Sequence, residues 1–584
     1  MKMKIENSKL LVFLTIIAAT VVVAIGDLFD YNLVAYSACE INFFDKSLFT
    51  NNIDVSLNTN SVSPRISNFY IFYALMNLGL SYESSYLVIY MLTCLLTAMA
   101  LFAFVLKESY SNDYLIVLLT AFVFIFSSIG ISSGFGTFAP RSLFLGLGAA
   151  FFLCALVSLQ LLKGSLQINV PFIFVSLATL AHVHEGIWGL VVITLVTVYL
   201  CGLSTFRSYG LYVSIAILLF LTIPSVISGG SSITSDVFYE EYAVFRASHH
   251  LLFWKSFPYQ TIPSVIEFMM IIYLMKQNGL DKKDIDLAKY AVIIFFSIVL
   301  LWYITTELIH SQFFMKMYIP KCFKNINILF TLLLCKTLSK GNYSKMSLLF
   351  LLTSVLMPYH YKEFYFYWIP ELLIFVFINK YVVSSSLKNA IYGGLIMSIV
   401  IARVIYIPAQ NIYIVLLVTC LGGVFDKKKL HYIIPAAMSI FLCLYCCWIK
   451  DKNKSFADSA LEYKVGKDIY SFGKAIANYV PVNKIILMDS RDKSSGFIQH
   501  ISRRDAYVLF KAAPSNVQGI DIWYHRIKEI EDMKTWDASR YAEFMKSRNL
   551  DYLVLKSRDY NSSFLQLFEE KYSNKEYLLL ERKT

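Results

Sequence analysis

Ser85–Leu106, SYLVIYMLTCLLTAMALFAFVL, is 22 residues long and carries no charge. A helix of that length crosses roughly 30 Å of hydrocarbon. Comparable runs recur from Leu10 to Trp448, in a chain of 584 residues that is 57% hydrophobic and only 16% charged. Mean hydropathy is +0.58, whereas about a quarter of the residues in an ordinary soluble chain are charged. In lipid every backbone polar group must be satisfied within its own element, so such runs read as helices. The length rule places spans near 9–25, 85–106, 114–132, 141–162, 168–181, 186–203, 209–227, 260–276, 290–309, 325–338, 346–358, 364–379, 389–407, 412–425 and 432–449, about fifteen in all. The expected fold is an α-helical polytopic membrane protein with a small C-terminal α/β domain.

Charge orders these runs. Lys2, Lys4 and Lys9 precede the first helix and stay on the cytoplasmic side. Alternation then puts Lys276, Lys282, Lys283, Lys289, Lys336, Lys340, Lys345, Lys380, Lys388 and Lys427–Lys429 on that side as well. The segment 26–68 carries Asp27, Asp30, Glu40, Asp45 and Asp54 against Lys46 and Arg65, a net −3, and falls outside. Residues 1–450 thus read as a multi-pass domain with an outer first loop at 26–84, and 451–584 as an extracytoplasmic domain. Within the first loop, 68–80 is apolar but short, and reads as an interfacial helix. The start MKMKIENSK followed by an apolar core resembles a signal peptide, and an uncleaved first helix is the simpler reading.

The net charge of +12 does not point to nucleic acid, because the basic residues are scattered through loops between apolar runs. No cysteine falls in 451–584, which excludes a disulfide or zinc framework there. That region alternates strand runs at 484–488, 552–555 and 577–580 with helical patterns ending at 479 and covering 538–546.

The outer side collects most of the ionisable residues that lie near the membrane. It receives Asp27, Asp30, Arg141, His182, His184, Glu185, Arg246, His249, His250, His310, Lys316, Lys321, Lys324 and the cluster Tyr359–Glu363. Ionisable groups at membrane depth are costly and usually line a protein-bounded cavity. The basic 310–324 loop runs against the positive-inside bias, and fixed cations there suit a phosphate-bearing partner. Blander readings exist for each residue. Asp27 and Asp30 could be solvated at a helix end, and His182 with His184 could form a polar turn. His249 and His250 could belong to a plain loop, and Arg141 could snorkel to headgroups. No third metal ligand stands at useful spacing from the histidine pair, so no metal site is assigned.

Several stretches resemble one family. These are DLFDYNLVAYSACEINFFDKSLFTNN at Asp27–Asn52, SPR at Ser63–Arg65, APRSLFLGLG at Ala139–Gly148, AHVHEGIWGL at Ala181–Leu190, RASHHL at Arg246–Leu251 and IDIWYHRI at Ile520–Ile527. Together with an acidic outer first loop and an outer α/β domain, they look like the GT-C membrane glycosyltransferases, closest to an uncharacterised bacterial GT-C-like group. The resemblance implies a bacterial cytoplasmic (inner) membrane protein of cell-envelope polysaccharide biosynthesis. Such a protein takes a sugar from a polyprenyl-phosphate-linked donor and passes it to a glycan or lipid acceptor. It also implies Asp30, then Asp27, as the base and Arg246, His249, His250 and Lys316 as phosphate-binding residues; Arg141, His182, His184 and Glu185, gathered on the same face, join them as candidate substrate-binding residues. A family member often carries a further Asp after a run like SLFTNN. Asn51 and Asn52 stand there instead, so a divalent cation is left without an assigned ligand. Two other readings compete. An O-antigen or capsule polymerase or ligase usually lacks a sizeable terminal domain. A lipid-linked sugar transporter predicts ionisable residues at mid-span.

Overall fold

The computed structural model describes residues 28–29, 31–59, 64–108, 143–161, 165–227, 234–355, 368–406, 454–514 and 516–583, together with positions 13, 14, 16, 17 and 20. The first loop holds α1 (Tyr31–Phe44), a short helix Ile53–Thr59 and α2 (Ile66–Asn77). A helical bundle follows: α3 (Tyr82–Glu108), α4 (Leu143–Leu161), α5 (Asn169–Ala181), α6 (Val183–Cys201), α7 (Tyr209–Ile227), α8 (Phe253–Gln277), α9 (Lys282–Tyr303), α10 (Lys321–Lys340), α11 (Lys345–Val355), α12 (Trp368–Tyr381) and α13 (Ser385–Tyr406).

Among the described residues four stretches are long and apolar enough to cross a membrane: Tyr82–Phe104, Val183–Arg207, Lys282–Leu308 and Lys321–Lys340. The bundle is compatible with a helical membrane protein, but the described residues do not carry the expected fifteen or so spans. An apolar run can face protein as readily as lipid. The run at 168–181 becomes a helix of 13 residues, roughly 20 Å long, packed between α4, α6 and α7. The run at 346–358 becomes a described helix of 11 residues. The runs at 114–132, 412–425 and 432–449, and most of 9–25, lie outside the described residues. The interfacial candidate is α2, 12 residues long and too short to span. It buries Phe72 in a stack on Tyr82, with ring centroids 4.6 Å apart.

α10 is the centre of the bundle. Every residue from Cys322 to Leu338 is buried, with α6, α8 and α9 packed around it. That shielding accommodates Lys324, Asn325, Asn327 and Thr331 in a helix of hydropathy 1.2. At one end of the bundle the Tyr199 hydroxyl donates to the Lys283 carbonyl at 3.2 Å. Lys336 pairs with Asp284 at 3.1 Å and Lys340 with Asp281 at 3.5 Å at the same end. The first loop and the C-terminal sheet occupy the opposite end.

The C-terminal unit contains α14 (Phe456–Val465), α15 (Lys467–Tyr479), β1 (Ile485–Leu487), α16 (Lys493–Ser502), β2 (Asp505–Ala506), α17 (Val517–Glu529), α18 (Ala538–Ser547), β3 (Tyr552–Lys556), β4 (Phe568–Ser573) and β5 (Tyr577–Arg582). The strands form one mixed sheet in the order β2-β1-β3-β5-β4. β1 runs parallel to β2 and β3, while β5 is antiparallel to β3 and β4. The strand runs expected from the sequence are β1, β3 and β5. β2 and β4 were not expected: β2 has two residues, and β4 is a largely exposed FEEKYS with no apolar run. A charged edge strand of this kind resists pairing with other chains.

This sheet domain docks on the first loop. The Asn51 N–H donates to Asp505 Oδ2 at 3.0 Å, and its side-chain amide donates to the Asn483 carbonyl at 2.8 Å. The Asn516 amide donates to the Leu57 carbonyl at 3.0 Å, and His500 Nδ1 lies 2.9 Å from Ser37 Oγ. Arg503 pairs with Glu83 at the base of α3. Burial pushes the Asp505 carboxyl up to about 6, against the opposing effect of the Asn51 and Asn52 donors.

Candidate functional site

Where the bundle, the first loop and the sheet domain meet there is a cavity of about 420 Å³. Its cationic wall comes from four separate segments: Arg65 before α2, Arg246 before α8, Lys316 in the short helix Gln312–Met317, and Lys321 at the start of α10. Tyr36, Asn68, His182, His184, Tyr242 and Tyr318 supply further polar groups, and Ala513, Pro514, Val517 and Ile520 close it from the sheet domain. None of the described residues lining it is acidic.

Local structure explains how these groups arrive. His182 adopts an extended conformation (φ −155°, ψ 109°) that ends α5 and starts α6. The adjoining helices approach so closely that a Cβ at Gly186 would lie 2.4 Å from Thr179 Cα. Glycine is required there. His184 Nε2 sits 2.7 Å from the Lys316 carbonyl, and the Trp188 indole N–H donates to the Met317 carbonyl at 2.9 Å. These bonds tie the first two turns of α6 to the basic loop. Tyr239–Arg246 is a π-helix, a geometry that recurs at functional sites. It brings Tyr242 and Arg246 to the wall.

The electrostatics are one-sided. Burial opposes ionisation of Tyr36, but Arg65, stacked 3.4 Å from the ring centroid, together with Arg246 and Lys511 outweighs it and brings the phenol down to about 8. Burial brings Lys316 down to about 8. Arg246 donates from Nη2 to the Lys511 carbonyl at 3.2 Å and lies over Phe510. Three buried lining atoms, Asn68 Oδ1, His182 Nδ1 and Arg246 Nε, have no hydrogen-bond partner among the described residues. Buried polar atoms are rarely left so, and a polar ligand would satisfy them.

The expected site residues divide into groups. His182, His184, Arg246 and Lys316 are brought together in the cavity. Glu185 is not. It points into the bundle and pairs with Lys324 at 3.3 Å. With its amide oriented to suit both partners, Asn325 donates to Glu185 Oε2 at 3.1 Å and accepts from the Gly189 N–H at 3.0 Å. His249 and His250 meet with tilted rings 3.9 Å apart, His250 lying edge-on to Tyr318, and neither lines the cavity. Asp27, Asp30, Arg141 and the Tyr359–Glu363 cluster lie outside the described residues. Asn51 and Asn52, where the resemblance leads one to look for a carboxylate, serve the docking of the sheet domain.

Tyr36, Arg65, Tyr242 and Tyr318 were not assigned from the sequence. Arg65 had a signal, as one of two basic residues in an otherwise acidic segment. The tyrosines had none in a chain with 40 of them. Among the described residues, the one set of three metal-ligating side chains whose ligand atoms converge is Glu241, Asp521 and His525, which lies outside this cavity. Neither a protein-family model nor a curated protein matches the chain.

Proposed function

We propose that the cavity holds the phosphate of a polyprenyl-phosphate-linked sugar, and that the chain is a glycosyltransferase working on the outer face of the membrane. The observation that carries this reading is the convergence of Arg65, Arg246, Lys316 and Lys321 on one cavity with no acidic residue among the described residues that line it. A departing lipid phosphate gains charge as the glycosidic bond breaks, and fixed cations stabilise that charge where water is scarce. Val183, Ile187, Phe313 and Met317 give the cavity an apolar side suited to the start of a prenyl chain. The acceptor hydroxyl needs a base, and the family resemblance nominates Asp30, then Asp27. The lysine-rich end of the bundle lies opposite the cavity, in keeping with an outward-facing site.

Binding of undecaprenyl phosphate to the detergent-solubilised chain tests the reading. Arg65→Ala and Arg246→Ala should each weaken it roughly 10- to 100-fold, the value of a charge-assisted hydrogen bond of about 1.5–3 kcal/mol. Asp30→Asn should abolish sugar transfer and leave this binding intact. Unaltered affinity in both arginine variants would refute the phosphate site. A preference for undecaprenyl pyrophosphate would favour the polymerase or ligase class.

A further inference from the structure

Beside Tyr242 in the π-helix, but not among the residues that line the cavity, Glu241 is only 4% exposed. Among the described residues it makes no ion pair, and its Oε2 has no hydrogen-bond partner. It faces Asp521 of α17 across the junction with the sheet domain. His525, one helical turn beyond Asp521, places Nε2 3.1 Å from Asp521 Oδ1. One ligand atom from each of the three residues falls within 4.8 Å of the others. Two ionised carboxylates facing each other with one of them buried repel, and either a shared proton or a bound cation relieves them. A divalent ion neutralises both charges and gives the orphaned oxygen a partner.

We infer that Glu241, Asp521 and His525 form a binding site for a divalent transition-metal ion. Two carboxylates and an imidazole suit zinc-like ions better than calcium or magnesium, which favour oxygen-only sets. The His525 side chain is largely exposed, so water has access to complete the coordination. The ion links the bundle to the sheet domain. It adds to an apolar contact in which Phe238, Ala243 and Ala247 meet Val517 and Ile520. The π-helix that holds Glu241 also holds Tyr242 and Arg246, so the ion steadies the cavity wall without touching a ligand in the cavity. The site stands whether or not the cavity binds a lipid phosphate.

The test uses the full-length chain in detergent, stripped with a chelator and titrated with Zn²⁺. Metal content and thermal stability are the readouts. The expected result is one tightly held ion per chain and a rise in Tm on its addition. Asp521→Asn, Glu241→Gln and His525→Ala should each weaken that binding by at least roughly 10- to 100-fold, the loss seen even for outer-shell partners. Without metal, Asp521→Asn and Glu241→Gln remove a like-charge contact and should unfold no earlier than the parent, which separates lost ligation from misfolding. Absence of tight Zn²⁺ binding, or unchanged binding in all three variants, overturns the proposal. The latter result would assign the ion to other histidines.

Discussion

Tyr318 adopts φ 50° and ψ 62°, the left-handed region that a bulky residue seldom enters. Holding it there costs about 1–3 kcal/mol, and the result is a ring at the middle of the cavity cluster. It meets Tyr242 edge-on at 5.9 Å, His184 at 5.5 Å and His250 at 6.1 Å. Around it, charge is tunable near neutral pH. Tyr36 becomes an anion and Lys316 loses its charge as pH rises through about 8. Both changes subtract positive charge from the cavity. Undecaprenyl phosphate affinity should therefore be highest below that pH and fall across it. Tyr36→Phe should remove part of the fall, and Tyr36→Phe with Lys316→Gln should flatten it. A binding titration across this range decides the matter, and a pH-independent parent would contradict the assignment of both residues.

At the scale of elements, the α5–α6 hairpin is the best-defined support of the site. Its two helices touch at Gly186 and Thr179, where an added Cβ would lie 2.1 Å from Thr179 Oγ1 as well as 2.4 Å from its Cα. Backbone cannot yield as a flexible side chain can. Gly186→Ala should cost about 1–3 kcal/mol, the usual penalty of overpacking, and should displace His182 and His184. Gly394 in α13 is the control, with nothing within 4 Å of its ideal Cβ. There Gly→Ala should stabilise by roughly 0.5–1 kcal/mol, because alanine loses less backbone entropy on entering a helix. Melting the two variants in detergent compares them, and equal behaviour would mean that the close approach is not real.

For the whole molecule, two ends are distinguished by chemistry. One carries lysines paired with Asp281 and Asp284; the other carries the first loop, the cavity and the sheet domain. If the bundle spans the membrane as proposed, a membrane-impermeant maleimide should label Lys534→Cys on intact cells. Asp281→Cys should react only after permeabilisation. Both positions have well-exposed side chains, and all ten native cysteines are replaced by serine in this background. Labelling of both from one face would contradict the orientation.

The apolar runs, their helical length and the three strand runs of the sheet domain were legible in the sequence, because burial demands apolar side chains wherever it occurs. The same demand explains why the number of spans was not legible. A helix surrounded by protein and one surrounded by lipid draw on the same residues, and α10, buried with Lys324 and Asn327 in it, still meets the length and apolarity that a span requires. Four of the named site residues, His182, His184, Arg246 and Lys316, stood out because charge and imidazole are conspicuous among apolar runs. Tyr36, Tyr242 and Tyr318 did not, since nothing local marks residues that meet only when segments hundreds of positions apart fold together. Composition and periodicity determined the helical class and the separate C-terminal sheet. Tertiary structure alone decided that Glu185 turns inward to Lys324, that Asn51 binds the sheet domain, and that cations from four segments share one cavity. The physical reason is that each of these outcomes depends on which partner lies across a contact, and sequence order does not contain that information.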